Sequence, residues 1–191
     1  MNIPECQHRL ASALSNTRIP AEADTHYRRI AVSVLEMARA YESDGVGFFQ
    51  SGDPVNALAS YCYGFGWLHF GVSSGLIAIS HPFICPFTGT HDMLQPPFRA
   101  KLEEKTSRYE YLLDRAMTSV SCAPDPATTS YDFARRILCI AGIYARNGIC
   151  LRKSGNLEDA LAYFSYGHGW LDAGVTAGFF RILAERDLFT V

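Results

Sequence analysis

The chain has 191 residues, of which 48% are hydrophobic, 13% aromatic and 19% charged. That composition suits a compact globular protein of one or two small domains and excludes a disordered chain, which lacks the apolar surface to offset the entropy of ordering. Seventeen Lys and Arg stand against 19 Asp and Glu, a formal charge of -2, and the absence of a basic excess argues against a dedicated nucleic-acid binder.

The N-terminal run MNIPECQHRL lacks the basic-then-apolar pattern of a secretory signal. No apolar stretch reaches the roughly 18 to 20 residues of a membrane-spanning helix. A cytoplasmic protein with no membrane contact is expected. Six cysteines (Cys6, Cys62, Cys85, Cys122, Cys139 and Cys150) show no C-x-x-C pair, and Cys62 and Cys139 fall within apolar-periodic segments. They read as buried free thiols of a reducing compartment.

Taken in chain order, the first helix is expected over about residues 4–17. The second runs over about residues 24–51 and closes at Gly52, a residue type that ends helices. The third starts from an N-cap at Asp53, with Pro54 in its first turn. Residues 81–97 carry four prolines and read as a linker. A further helix is expected over about residues 97–119, with Phe98, Leu102, Tyr109, Leu113, Ala116 and Val120 at helical spacing. Then come a helix over about residues 129–154 closing at Gly155, and one capped by Asn156, with Glu158 and Asp159 suiting its positive end.

The second set of elements repeats the first. Residues 51–75 align with residues 154–178 at an offset of 103 without a gap, and 13 of the 25 positions are identical. Tyr41 falls on Tyr144, Gly45 on Gly148, Ala38 on Ala141 and Leu10 on Leu113. The sequence therefore predicts an all-α, duplicated helical bundle of about three helices per copy, the copies related by an approximate twofold. Copy one occupies residues 1–80, the Pro-rich linker residues 81–97 and copy two residues 98–191. Small residues facing aromatics across the two-residue turn (Gly45, Gly52, Ala57 and Gly64 with Tyr41, Phe48 and Tyr61) resemble the hairpin of tetratricopeptide repeats, although the 103-residue period is not that of a tandem array.

At about 100° per residue, Ala57, Gly64, Gly71 and Gly75 share one helix face, repeated by Ala160, Gly167, Gly174 and Gly178. Glycine within a helix costs roughly 0.5 to 1 kcal/mol against alanine. The stripes imply close helix packing, a groove for a ligand or partner helix, or both.

Three motifs carry a family resemblance: Y-x-x-D-G at Tyr41 to Gly45, G-D-P-V-N-A at Gly52 to Ala57, and G-W-L-D-A-G at Gly169 to Gly174. In combination they are similar to an archaeal domain-of-unknown-function family numbered 357, here present as two copies. The resemblance implies a small helical domain and an archaeal source, and no reaction. Copy one departs from the family pattern at His69, where copy two keeps Asp172.

Among candidate functional residues, Trp67 and Trp170 are equivalent and read as core or as ligand-facing anchors. His69 and Asp172 are equivalent, as are Phe65 and His168, and a twofold axis near these helices would set His69 facing Asp172, the beginning of an acid–base site. No third member completes one, so no catalytic residue is assigned. The candidate ligand site at the junction of the copies is Trp67, His69, His168, Trp170 and Asp172. In the linker, His81, Cys85, His91 and Asp92 are zinc-ligand types without the paired spacing of zinc motifs, and no metal or other cofactor is expected. Phe87-Thr88 matches Phe189-Thr190, as if each copy ended by docking a phenylalanine tail. The mixed charge of residues 99–115 reads as a solvated face, and no phosphate loop, G-x-S-x-G or H-E-x-x-H motif occurs. The function expected is a non-catalytic protein-interaction or scaffold protein whose partner is a protein. The alternatives are a small-molecule-binding module, or an enzyme that the sequence does not advertise, with its site at the copy junction.

Overall fold

A computed structural model describes residues 3–80, 94 and 96–190. Its α-helices are α1 (Ile3–Ser15), α2 (His26–Gln50), α3 (Pro54–Ser73), α4 (Arg99–Thr118), α5 (Thr129–Lys153) and α6 (Leu157–Thr176). Both bounds of α2 and α3 recur in α5 and α6 after 103 residues, as does the end of α1 in α4. The protein is an all-α duplication of a three-helix unit. No helix among the described residues is long and apolar enough to cross a membrane.

The same local chemistry sets these bounds in both copies. Asp24 sits at φ 63, a left-handed conformation, so α2 starts later than its apolar period suggests, from an N-cap at Thr25 whose hydroxyl accepts the Arg28 N–H. Thr128 does the same for Tyr131 at the start of α5. Asp53 accepts from the Asn56 N–H above Pro54, and Asn156 from the Asp159 N–H. At the end of α2, Gly52 takes φ 79, which lets its N–H reach Phe49 O and the Asp53 N–H reach Phe48 O. Gly155, Arg152, Asn156 and Leu151 repeat this pattern, the paired closure that a left-handed glycine permits. Ahead of α4, the segment Pro96–Phe98 forms a 3-10 turn, so that helix begins two residues after the expected start at 97.

Within each copy the hairpin closes through small residues, as the sequence predicts. The ring of Tyr61 lies directly over Gly45, and that of Phe164 over Gly148. The glycine stripe splits into two functions. Gly64 and Gly71 face their own copy, where an added Cβ would meet Leu10 and Ala38 O, or Ile77 and Val34; Gly167 and Gly174 do likewise against Leu113 and Tyr144, or Phe180 and Ile137. Gly75 and Gly178 are not part of a helical stripe. They lie past the ends of α3 and α6 at φ 76 and 81, closing each helix.

Two antiparallel strand pairs, each too short to leave an alternating pattern, escaped the sequence reading. β1 (Thr17–Arg18) pairs with β2 (Ala78–Ile79), and β3 (Val120–Cys122) with β4 (Phe180–Ile182). Each ties the end of a copy's first helix to the segment following its third.

Helices α3 and α6 are buried on nearly every side and mostly apolar, as interior helices are. They pack against one another at the centre, and one apolar core runs through both copies. Their crossing is made by Gly66 and Gly169, where a Cβ added at Gly66 would lie 2.5 Å from Tyr166 O and 3.0 Å from the Gly169 Cα. Contact between equivalent residues is the mark of a twofold relation.

The thiols are less uniformly buried than expected. Cys6 and Cys62 are buried and Cys122 is half-buried, but Cys139 and Cys150 are exposed. The inner face of α5 is set by Ala134, Ile137, Ala141, Ala145 and Gly148; Cys139 lies about 200° round the helix from Ile137 and points outward. The linker candidates His81, Cys85, His91 and Asp92, and the Phe87-Thr88 pair, lie outside the described residues.

Candidate functional site

The polar centre of the molecule is the junction of α3 and α6. Asp172, on α6, has no exposed surface. It accepts a hydrogen bond from the Tyr63 hydroxyl of α3 at 2.9 Å, another from the Thr190 hydroxyl at 2.7 Å and a third from the Thr190 N–H at 3.1 Å. A carboxylate so supplied with donors is held without an ion pair. The related contact on the other side of the axis joins His69 Nδ1 to the Tyr166 hydroxyl at 2.5 Å.

His69 and Asp172 thus do not face one another. The twofold passes through Gly66 and Gly169, so each of these two positions meets the tyrosine of the opposite copy: Tyr63 with Asp172, Tyr166 with His69. The tyrosine rings pack in turn on the second helices at a tilt, Tyr63 against Tyr41 with centroids 4.5 Å apart and Tyr166 against Tyr144 at 4.4 Å. The same chain position is an acid in one copy and an imidazole in the other. Both serve as partners for a phenol.

His168 completes the cluster. Its ring lies 5.4 Å from that of Tyr63, and its Nε2 donates to Leu188 O at 3.1 Å. Phe189 is buried beside it. The expected docking of a phenylalanine tail therefore occurs in copy two, with Leu188, Phe189 and Thr190 closing over His168 and Asp172.

Burial dominates the electrostatics here. The Tyr63 phenol is pushed well above its ordinary range, first by desolvation and then by the neighbouring Asp172 carboxylate. Tyr41 is raised by the same two causes in the same order. His168 is lowered by burial, with Asp172 and the Leu188 carbonyl opposing the shift. His69 is lowered by burial to about 4. Near neutral pH both imidazoles are uncharged and both tyrosines keep their protons, which suits the hydrogen bonds observed.

Trp67 and Trp170 are core residues, fully buried and 4% exposed. Trp170 meets Phe70 edge-on at 5.9 Å. Both indole N–H groups are buried without an acceptor among the described residues. Of the five candidate residues, the structure brings His168 and Asp172 together around Tyr63, sets His69 against Tyr166, and gives the two tryptophans to packing. Among the described residues, no three His, Cys, Asp or Glu side chains gather as a metal site would require.

Sequence reading missed a second site, a cleft of about 300 Å³ between α4 and α5. Ala145, Ile149 and Phe164 supply its apolar lining, and Ser107, Glu110, Tyr111, Asp114 and Arg152 its polar rim. Arg152 pairs with Glu110 at 2.8 Å and donates to the Ser107 hydroxyl at 3.1 Å. The signal lay in the differences between the copies. Ala145 replaces Glu42, and Phe164 replaces Tyr61. In copy one, Glu42 accepts from Gln7 Nε2 at 2.8 Å, bridging α2 to α1 across the equivalent place.

Fold and junction together define a duplicated all-α protein whose copies meet through their third helices, with polar side chains exchanged across the axis. The chain belongs to the family described as "Protein of unknown function (DUF357)", whose model matches residues 7–77 and 108–180, once in each copy. No curated protein and no solved structure matches it.

Proposed function

We propose that the protein is a non-catalytic interaction protein, a helical scaffold that presents its outer helices to a protein partner. The observation that carries this reading is where the reactive groups and the apolar groups lie. Tyr63, His168 and Asp172, which have the chemistry for a site, are buried and engaged with one another or with the C-terminal tail. Large apolar side chains meanwhile stand exposed on the outside: Tyr27 and Phe49 on α2, Tyr111 on α4 and Ile143 on α5. Exposed aromatics on rigid helices are the anchors that protein interfaces favour. The near-neutral charge supports a protein partner over a nucleic acid.

The small-residue hairpins support a tetratricopeptide-like mode of presentation, and the exposed thiols Cys139 and Cys150 a reducing cytoplasm. The family resemblance supports an archaeal source. A ligand site at the junction is the alternative, and it requires the Leu188 to Thr190 segment to withdraw. Photo-crosslinking residues placed singly at Tyr27, Phe49, Tyr111 and Ile143, in the native cells, separate the two. A discrete adduct containing a second protein is expected at one or more positions. No adduct at any of them, together with a small molecule retained by the purified chain in native mass spectrometry, would overturn the interaction reading.

A further inference from the structure

The cleft between α4 and α5 is present in only one copy's chemistry, and its residues specify what enters it. We propose that it receives a lysine or arginine side chain of the protein partner, with Asp114 as counter-charge; this rests on the interaction reading above.

Size comes first. At about 300 Å³ the cleft lies at the lower end of ligand sites, which run from roughly 300 to 1,000 Å³. It suits one inserted side chain better than a cofactor. Polarity comes next. The floor is Ala145, Ile149 and Phe164, against which an aliphatic stem packs, while the rim is polar, the division that long basic side chains exploit.

Charge decides the sign. Glu110 is neutralised by Arg152 within the cleft. Asp114 is exposed and forms no ion pair among the described residues, so the rim carries one uncompensated negative charge. Tyr111, 60% exposed beside it, offers the face of a phenol ring, which attracts a cation. An acidic partner would be repelled by Asp114, and a neutral one would leave it without a complement.

Comparison of the copies shows that this is a built difference. Where copy two has Tyr111, Asp114 and Ala145, copy one has His8, Ala11 and Glu42. Copy one therefore lacks the exposed acid and the phenol ring, and bridges the position with the Gln7–Glu42 hydrogen bond. Binding should be confined to copy two, at one basic anchor per chain.

The test is selection of displayed random peptides on the full chain, followed by fluorescence anisotropy of the best synthetic peptide. Enriched peptides are expected to share a Lys or Arg next to an apolar residue. Affinity should fall about two- to fivefold in Asp114→Asn, the range of a solvent-exposed ion pair, and be abolished in Ala145→Leu, which fills the floor of the cleft without adding charge. A Glu36→Gln variant, which removes an exposed acid from α2 of copy one, should bind as the parent does, and circular dichroism melts should show both cleft variants folded. Enriched peptides without a basic residue, or affinity unchanged in both cleft variants, would overturn the proposal while leaving a protein partner bound elsewhere. Failure to enrich any peptide would overturn it too, with the crosslinking experiment then deciding the broader reading alone.

Discussion

Gly66 and Gly169 touch one another where α3 crosses α6, each lying at the point that the other occupies in its own copy. Neither has room for a side chain. A Cβ on Gly66 would collide with Tyr166 O, and one on Gly169 with Tyr63 O. Both obstacles are backbone of the opposing helix, which has no rotamer with which to retreat. The helices must separate instead.

This gives the sharpest stability prediction. Gly66→Ala and Gly169→Ala should each lose about 1 to 3 kcal/mol to overpacking, more than the roughly 1 kcal/mol that helix propensity returns. Gly47, inside α2 with nothing within 4 Å of an added Cβ, is the matched control. Gly47→Ala should raise the denaturant midpoint while the other two lower it. Equal effects at all three positions would refute the crossing as the site of tightest packing.

Asp172 should prove structural in an equally direct test. In Asp172→Ala the buried Tyr63 hydroxyl loses its acceptor, at about 1 to 3 kcal/mol, while the two Thr190 donors, on an exposed residue, can turn to water and cost less. Tyr63→Phe removes one donor and leaves the Thr190 contacts, so its cost should be smaller. Deleting residues 186–191 should expose His168 and Asp172 and lower stability without loss of helix content. Equilibrium unfolding with far-ultraviolet circular dichroism measures all three. A truncated chain as stable as the parent would show that the tail contributes nothing.

Much of this architecture was legible in the sequence, and the reason is the duplication. Caps at Asp53 and Asn156, and closures at Gly52 and Gly155, are local signals that the second copy repeats and so confirms. What a repeat does not carry is the relation between its copies. The Gly64-x-Gly66 pair was visible, yet nothing in the periodicity says that Gly64 faces its own copy and Gly66 the other. That ambiguity is also why His69 and Asp172 were expected to meet. Moving the axis by a turn of helix exchanges such a pairing for the tyrosine contacts observed. The α4–α5 cleft was hidden differently, since it goes with groups that are absent, the Glu42 carboxylate at Ala145 and the Tyr61 hydroxyl at Phe164, and pattern matching attends to what is present.

Thiol chemistry should follow the helix faces. Cys139 and Cys150 are exposed and should be alkylated rapidly in the native protein, Cys122 more slowly. Cys6 and Cys62 should react only on unfolding; for Cys6, burial also pushes the thiol up to about 12, suppressing the thiolate that reacts. Peptide mapping after timed labelling reads each site. Rapid labelling of Cys6 would contradict the docking of α1 on the core.

The junction histidines set the response to acid. Both His69 and His168 are held below the ordinary histidine value of about 6.5, chiefly by burial. Between that value and about 4, the folded-state value of His69, the unfolded chain binds more protons than the folded one. Stability therefore rises with pH through this window and is lost as pH falls through it. The denaturant midpoint should be level near pH 7.5 and decline below about pH 6.5. His69→Gln leaves Tyr166 a hydrogen-bonding partner but removes the titration, and should reduce the slope of midpoint against pH between 6.5 and 5. Combining it with His168→Gln, whose amide is able to donate to Leu188 O, should flatten the profile further. A double variant with the parent's slope would show that these two imidazoles do not govern the acid response, and that the protons taken up on unfolding bind elsewhere.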